Sequence, residues 1–177
     1  MKAVLMSIKP QWCELIASGK KTVEIRKNKP NLEVPFKVYI YCTKDNTFAD
    51  KTLRGFDENG KAIYYRANKG KVIGEFVCDR ITSFGNVSTD KWEYLKGNVH
   101  EYHKKLVVEK ACLTEKDLLE YGGKFGWHIT DLIIYDEPRE LVDFATVKEV
   151  GGYEEIKLLT RPPQSWCYIE EVKSNER

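Results

Sequence analysis

Nowhere does this chain carry the ~18 or more consecutive apolar residues that a membrane-spanning helix requires. Its opening, Met1 to Lys9, has too short an apolar run and too early a charge for a secretory leader. The expectation is a cytoplasmic protein with no membrane partner. Cysteine is sparse and shows no pairing pattern. Cys13, Cys42, Cys78, Cys112 and Cys167 are odd in number, far apart and never Cys-x-x-Cys, which argues against a disulfide framework and a zinc knuckle. In apolar company, as in Trp12-Cys13, Val77-Cys78 and Trp166-Cys167, free cysteine acts as a small hydrophobe.

Glycine-rich phosphate loops are missing too. Gly122-Gly123 and Gly151-Gly152 lack both the lysine of a nucleotide-triphosphate loop and the spacing of a dinucleotide fingerprint. No Gly-x-Ser-x-Gly elbow surrounds Ser165 or any other serine. Only three histidines occur. His100 and His103 have a spacing that can chelate, yet no third ligand follows, so neither a metal nor another cofactor is expected. His128, between Trp127 and Ile129, reads as a strand histidine.

Net charge is small: 29 Lys and Arg against 27 Asp and Glu leave +2. That excludes strong non-specific binding along a duplex. The distribution says more. Residues 1–30 hold seven Lys or Arg against Glu14 and Glu24, a net of +5, and residues 131–155 hold eight Asp or Glu against Arg139 and Lys148, a net of −6. A small basic site suits a nucleotide or a short strand.

What the chain does have is enough apolar material for a core. With 42% apolar residues over 177 positions, a single domain spanning 1–177 is expected, burying roughly 70% of the unfolded surface. Ala3 to Ile8 reads as a buried strand. Pro10 suits the first turn of a helix whose apolar face is Trp12, Cys13, Leu15 and Ile16, and Gly19 sits where a left-handed residue ends it. A strand over 21–27 follows, with Val23 and Ile25 on one face and Thr22, Glu24 and Arg26 on the other. Phe36 to Thr43 is a further strand. A polar excursion over about 44–70 contains Glu58-Asn59-Gly60-Lys61, a hairpin signal.

Strands are next expected over 71–83 with a bulge or close approach at Gly74, over 125–135, at Leu141 to Phe144, and at Ser165 to Ile169. Pro138 is expected to force a turn. Helices are expected over 89–103 and from Thr114 to Tyr121, the latter capped by Thr114 with Asp117. Six or seven strands without βαβ alternation argue for an α+β fold, a curled mixed sheet or small barrel decorated with about three helices.

Chemistry concentrates in Ser18-Gly19-Lys20-Lys21-Thr22-Val23-Glu24-Ile25-Arg26. Lys21 in a dry cleft is a candidate base or nucleophile, and in a wetter one it binds a phosphate or base carbonyl. Glu24 can accept from an exocyclic amine and Arg26 can donate two parallel bonds to a base edge. The competing account is a solvated turn lysine and a structural ion pair. Trp12 beside the motif and Trp166 near the closing strand are the best aromatic stacking candidates, and Ser165 offers a hydrogen bond. On parity, Lys21 reaches the face of Glu24 and Arg26 only if the turn after Gly19 redirects it.

The order Gly19-x-Lys21-x-x-Glu24-x-Arg26 after a Pro-started helix, with Phe125-Gly126-Trp127-His128-Ile129 and Pro162-Pro163-Gln164-Ser165-Trp166, resembles the ASCH domain, a branch of the PUA-like superfamily. The resemblance covers nearly the whole chain. It implies a PUA-like mixed β-barrel whose cleft is lined by the motif and takes RNA, a nucleotide or a modified nucleobase. It also implies two enzymatic alternatives. Some members hydrolyse N4-acetylcytidine with a lysine, a threonine and a glutamate. Lys21 matches that lysine, Glu24 stands at the threonine position, and Glu75 falls near the glutamate, so Lys21 and Glu75 are the catalytic candidates of an amidohydrolase. A single-strand ribonuclease is the third reading.

Overall fold

The computed structural model describes residues 3–44, 52–56, 61–66, 70–84, 99–114, 116–118 and 125–171. In chain order these form β1 (Ala3–Ile8), α1 (Pro10–Ala17), β2 (Val23–Arg26), β3 (Phe36–Cys42), β4 (Thr52–Phe56), β5 (Ala62–Arg66), β6 (Lys71–Cys78) and β7 (Ile81–Ser83). There follow α2 (Val99–Lys110), β8 (Phe125–His128), β9 (Thr130–Arg139), a 3-10 turn (Leu141–Asp143), β10 (Phe144–Val150), β11 (Tyr153–Leu158) and β12 (Trp166–Glu171). The α+β class is as expected.

The strands pair as a seven-stranded sheet in the order β11-β10-β12-β1-β3-β6-β9, a three-stranded sheet β2-β8-β7, and the β4-β5 hairpin. Among the described residues these pairings do not close into one ring, so the expected barrel is seen as separate sheets. β1 runs parallel to β3 and antiparallel to β12.

Strand parity on β1 and β3 builds two cores from one sheet. Val4, Met6, Ile8, Val38, Ile40 and Cys42 face α1, with Cys13 and Ile16 packed on them. Leu5, Tyr39 and Tyr41 face the other way, onto Phe144 and Val72. A third cluster joins the small sheet to α2 through Val23, Val107, Val108 and Ala111. The buried thiols match the reading of cysteine as a hydrophobe: burial pushes Cys78 up to about 12. Cys13 is pushed well up by burial and then by its neighbour Cys42.

Several elements differ from expectation for identifiable reasons. Residues 125–135 are two strands, β8 and β9, which join different sheets. Pro138 lies within β9 instead of ending it, which an edge strand tolerates because no inner ladder loses a donor. Leu141 to Asp143 is the 3-10 turn, closed by a reciprocal cap between Glu140 and Asp143. Between the strands expected at Leu141 to Phe144 and at Ser165 to Ile169 the chain forms the β10–β11 hairpin, in which Gly151 and Gly152 both adopt positive φ. Such a two-residue turn fits the twist of a hairpin.

Gly74 carries both features anticipated for it. The β3–β6 register shifts beside it, and a side chain there would run into the Ile133 carbonyl. The end of the helix expected over 89–103 overlaps α2, which continues to Lys110; 85–98 lie outside the described residues. Thr114 caps residues 116–118 as expected, Asp117 N–H donating to Thr114 Oγ1 at 3.2 Å and Thr114 N–H to Asp117 Oδ2 at 2.8 Å. The β4–β5 hairpin brackets Asn59-Gly60, whose turn lies outside the described residues.

Candidate functional site

Gly19 ends α1 with φ +73°. Its N–H returns to Ile16 O at 2.9 Å and the N–H of Lys21 to Leu15 O at 2.9 Å. That turn folds the chain back over the helix end and redirects Lys21, which parity alone would have sent elsewhere. Lys21 is 2% exposed, and its ammonium donates to Ala111 O at 2.6 Å. It lies 3.3 Å from Glu24 Oε2 and 5.1 Å from the centre of the Trp12 ring.

Ala111 and Lys110 close α2, whose last carbonyls have no helical partner. Lys21 Nζ takes one and Thr22 N–H takes the other, at 2.9 Å from Lys110 O. A cation at a helix C-terminus also opposes the helix dipole. Lys21 is therefore a capping lysine as well as a motif lysine.

On β2, parity falls as expected. Val23 and Ile25 face α2, and Glu24 and Arg26 face away from it. Glu24 Oε1 accepts from Arg26 Nη2 at 3.1 Å. Arg26 Nη2 also donates to the Ser7 carbonyl at 2.8 Å, and Nη1 to Ser165 Oγ at 3.4 Å. Ser7 is tied to the same segment by its N–H to Ser165 O at 2.9 Å and its hydroxyl to Pro163 O at 2.6 Å. Arg26 thus links the small sheet to β1 and to the Pro162–Ser165 segment.

Trp127, fully buried, stands opposite Glu24 in the β2–β8 register. Trp166 packs on it with ring centres 5.8 Å apart. Exposure increases outward along this row. Lys21 and Glu24 are buried, Arg26 and Trp166 half-buried, and Ser165 exposed.

The cluster leaves polar atoms unmet. Glu24 Oε2, Arg26 Nε and Trp127 Nε1 are buried without a hydrogen-bond partner, as is Gln11 Oε1 on α1. Glu24 Oε2 keeps its ion pair with Lys21, though not in hydrogen-bonding alignment. Buried polar groups are nearly always satisfied, so two donors and an acceptor unmet on neighbouring strands are the exceptional feature here.

Six of the seven expected residues fall in this region: Trp12, Lys21, Glu24, Arg26, Ser165 and Trp166. Glu75 does not join them. It faces Tyr39 in the β3–β6 register, on the sheet face opposite α1. There it pairs with Lys37 at 2.6 Å and accepts a hydrogen bond from Tyr135. Burial, followed by that bond, pushes the Tyr135 phenol far up. A cavity of about 650 Å³ lies elsewhere, lined by Tyr41, Lys44, Leu141, Leu159 and Pro162 among others, and none of the candidate site residues lines it.

Ser7 was not anticipated. Its signal was faint but present, the one hydroxyl in the otherwise apolar Ala-Val-Leu-Met-Ser-Ile of β1. Trp127 is a core residue; its unmet indole N–H has no signature in sequence.

His128 forms a separate polar group. Arg80 donates to Nδ1 at 3.1 Å, which leaves Nε2 to donate to Thr82 Oγ1 at 2.8 Å. Desolvation first, and the Arg80 charge second, hold its pKa below the ordinary value. Among the described residues no group of His, Cys, Asp and Glu is arranged to hold a metal ion.

The sequence profile of the ASCH domain matches residues 6–162. The chain belongs to the ASCH domain family. That family is generally linked to RNA binding. Among solved structures, an ASCH protein from Zymomonas mobilis is similar at 18% identity and a TM-score of 0.47, covering 98% of this chain and 90% of that one. A single-residue mutant of the same Zymomonas mobilis protein aligns at 18% identity and a TM-score of 0.46, covering 99% of this chain and 94% of that one. No curated protein matches. No helix among the described residues of this ASCH domain is long and apolar enough to cross a membrane.

Proposed function

We propose that this ASCH domain binds a nucleobase, nucleotide or short single-stranded RNA at the Arg26–Ser165–Trp166 end of the buried charge cluster. The observation that carries the reading is the set of unmet buried atoms, Glu24 Oε2, Arg26 Nε and Trp127 Nε1. A base edge supplies donors and acceptors side by side, whereas an apolar ligand would leave Arg26 Nε and Trp127 Nε1 unpaired and Glu24 Oε2 with its lysine ion pair alone. Trp166 offers a stacking face, worth ~1–3 kcal/mol per base where such stacking forms. Lys21 holds Glu24 in place and adds positive charge. A PUA-like barrel is the architecture that goes with this reading.

Hydrolysis of an N4-acylated cytidine and cleavage of single-stranded RNA are the enzymatic alternatives. Both need a general base near Lys21. Glu75 is engaged by Lys37 and Tyr135 on the other sheet face, and Glu24, the carboxylate next to Lys21, is shared with Arg26. Binding is accordingly the reading adopted.

The test is a titration of tryptophan fluorescence with nucleosides and short single-stranded oligonucleotides at low salt. Saturable quenching is expected, weakened by Ser165→Ala and by Arg26→Lys in protein shown to be folded. No quenching by any of these ligands, or equal affinity in both variants, would remove the proposal. Release of free cytidine from N4-acylated cytidines would replace it with the hydrolase.

A further inference from the structure

β11 is an edge strand, and it is unusually bare. Tyr153 is 81% exposed, Ile156 61% and Leu158 47%, beside Val150 at the hairpin tip at 56%. Exposed edges ordinarily carry charges, prolines or bulges that prevent pairing with another chain. This one carries Glu154, Glu155 and Lys157, but it has regular register along its whole length and no proline.

Its hydrogen-bonding pattern can be read from the turn. Val150 and Tyr153 flank the two-residue Gly151-Gly152 turn and face one another. Such flanking residues exchange both backbone bonds. The odd-numbered residues of β11 therefore point their backbone groups at β10, and the bond from Leu159 N–H to Phe144 O at 2.9 Å continues that pattern. The N–H and C=O of Glu154, Ile156 and Leu158 point outward, away from the sheet.

We infer that this edge pairs antiparallel with the same edge of a second copy, in the register that sets Ile156 against Ile156 of the partner. A symmetric antiparallel join has its two-fold axis perpendicular to the sheet, so one residue must face its own copy. Choosing Glu154, Glu155 or Lys157 puts like charges face to face, which is destabilising. Choosing Leu158 sets Glu154 against Pro162, which has no N–H to give.

Centring on Ile156 avoids both problems. It sets Glu155 opposite the partner's Lys157 and Lys157 opposite the partner's Glu155. It also pairs the outward backbone of Glu154 with that of the partner's Leu158. On one face Ile156 then meets Ile156 of the partner between two pairings of Leu158 with Glu154, and the Glu155–Lys157 pairs lie on the other face. The sequence Glu-Ile-Lys is thus self-complementary about its isoleucine, and the occupant of this edge is a second copy of the chain.

Sedimentation velocity of the full chain over micromolar to hundred-micromolar concentrations tests the inference. A monomer–dimer equilibrium is expected, independent of added oligonucleotide. Ile156→Lys, at a position where the side chain contributes little to the fold, should give a monomer throughout. Lys157→Glu places carboxylates opposite each other twice and should weaken the dimer about tenfold. Glu155→Lys combined with Lys157→Glu restores both pairs with their signs exchanged and should recover dimerisation. Far-ultraviolet circular dichroism and melting curves establish that each variant is folded. A wild-type monomer at every concentration would overturn the inference, and so would a dimer indifferent to Ile156→Lys. Failure of the Lys157→Glu single variant to weaken it, or of the double variant to rescue it, would overturn the register.

Discussion

Lys21 and Glu24, three positions apart, meet at 3.3 Å with side chains only 2% and 9% exposed. They are held in that contact by the Gly19 turn on one side and by Arg26 on the other. Two cations thus share one carboxylate in a largely dry environment. Removing one member of such a buried pair leaves an uncompensated partner, typically costing several kcal/mol.

Lys21→Met should therefore destabilise the fold by ~3 kcal/mol, because it also uncaps the Ala111 carbonyl. Urea denaturation of the two proteins measures this. A loss below ~1 kcal/mol would mean that Lys21 is not integrated into the fold as described. The same argument makes Lys21→Ala a poor probe of ligand binding, since lost affinity and lost structure would coincide.

Gly19→Ala isolates the turn from the charges. The site around Gly19 is open, with nothing within 4 Å of an added Cβ, so the cost is the left-handed φ alone. About 1 kcal/mol is expected, and Gly19→Asn should recover part of it because asparagine tolerates that region. Equal stability of Gly19→Ala and the parent in a melting experiment would contradict the backbone geometry.

How far the sequence discloses this arrangement depends on what kind of signal each feature leaves. The alternation of Val23 and Ile25 with Glu24 and Arg26 is a periodicity of two, and the structure follows it. Pro10 and Gly19 bracket α1 because proline fixes φ locally and glycine admits the left-handed φ of the stop. The Thr114–Asp117 cap forms for the same local reason. Exposure hides the β10–β11 hairpin, because Tyr153 to Leu158 bury nothing and so show no apolar alternation. Glu75 could not be placed from sequence, since the bulge at Gly74 changes the parity of β6. Likewise Arg26 reaching Ser7 and Ser165 across two sheets is a long-range contact without local trace.

His128 predicts a pH dependence of stability. Its folded pKa lies below the ordinary 6.5 through burial and the Arg80 charge, so the unfolded chain takes up the proton first. The stabilisation is then fully present above pH ~6.5 and is lost as pH falls from there towards the folded value. Melting temperature should be level near neutrality and decline on acidification below that point. In His128→Gln, which retains an acceptor and a donor, this part of the decline should vanish. An unchanged pH profile would show that His128 is equally basic in both states.

Gly74→Ala tests the bulge. The new Cβ would meet the Ile133 carbonyl and Ile134, backbone that β9 holds in register. Overpacking of this kind costs ~1–3 kcal/mol, and the strain falls between β6 and β9, neither of which carries a residue of the Gly19–Arg26 motif. Chemical denaturation should show the loss while the fluorescence response to ligands, measured on folded protein, stays unchanged. Loss of ligand response without loss of stability would tie the Gly74 bulge to the binding surface.

Glu24→Gln probes recognition most directly. The amide is isosteric, so Oε1 can still accept from Arg26, but Lys21 and Arg26 lose their shared countercharge. Stability should fall by ~3 kcal/mol, as for Lys21→Met, so ligands are compared on protein shown to be folded, and the nature of the binding preference should change. A carboxylate favours bases that present an exocyclic amine, namely cytosine and adenine. An amide can donate as well as accept, so it tolerates the carbonyl of uracil in the same place. Competition between cytidine and uridine in the fluorescence titration should therefore favour cytidine in the parent and move towards parity in Glu24→Gln. Identical competition in the two proteins would take Glu24 out of base recognition and leave it as the counterion of Lys21 and Arg26.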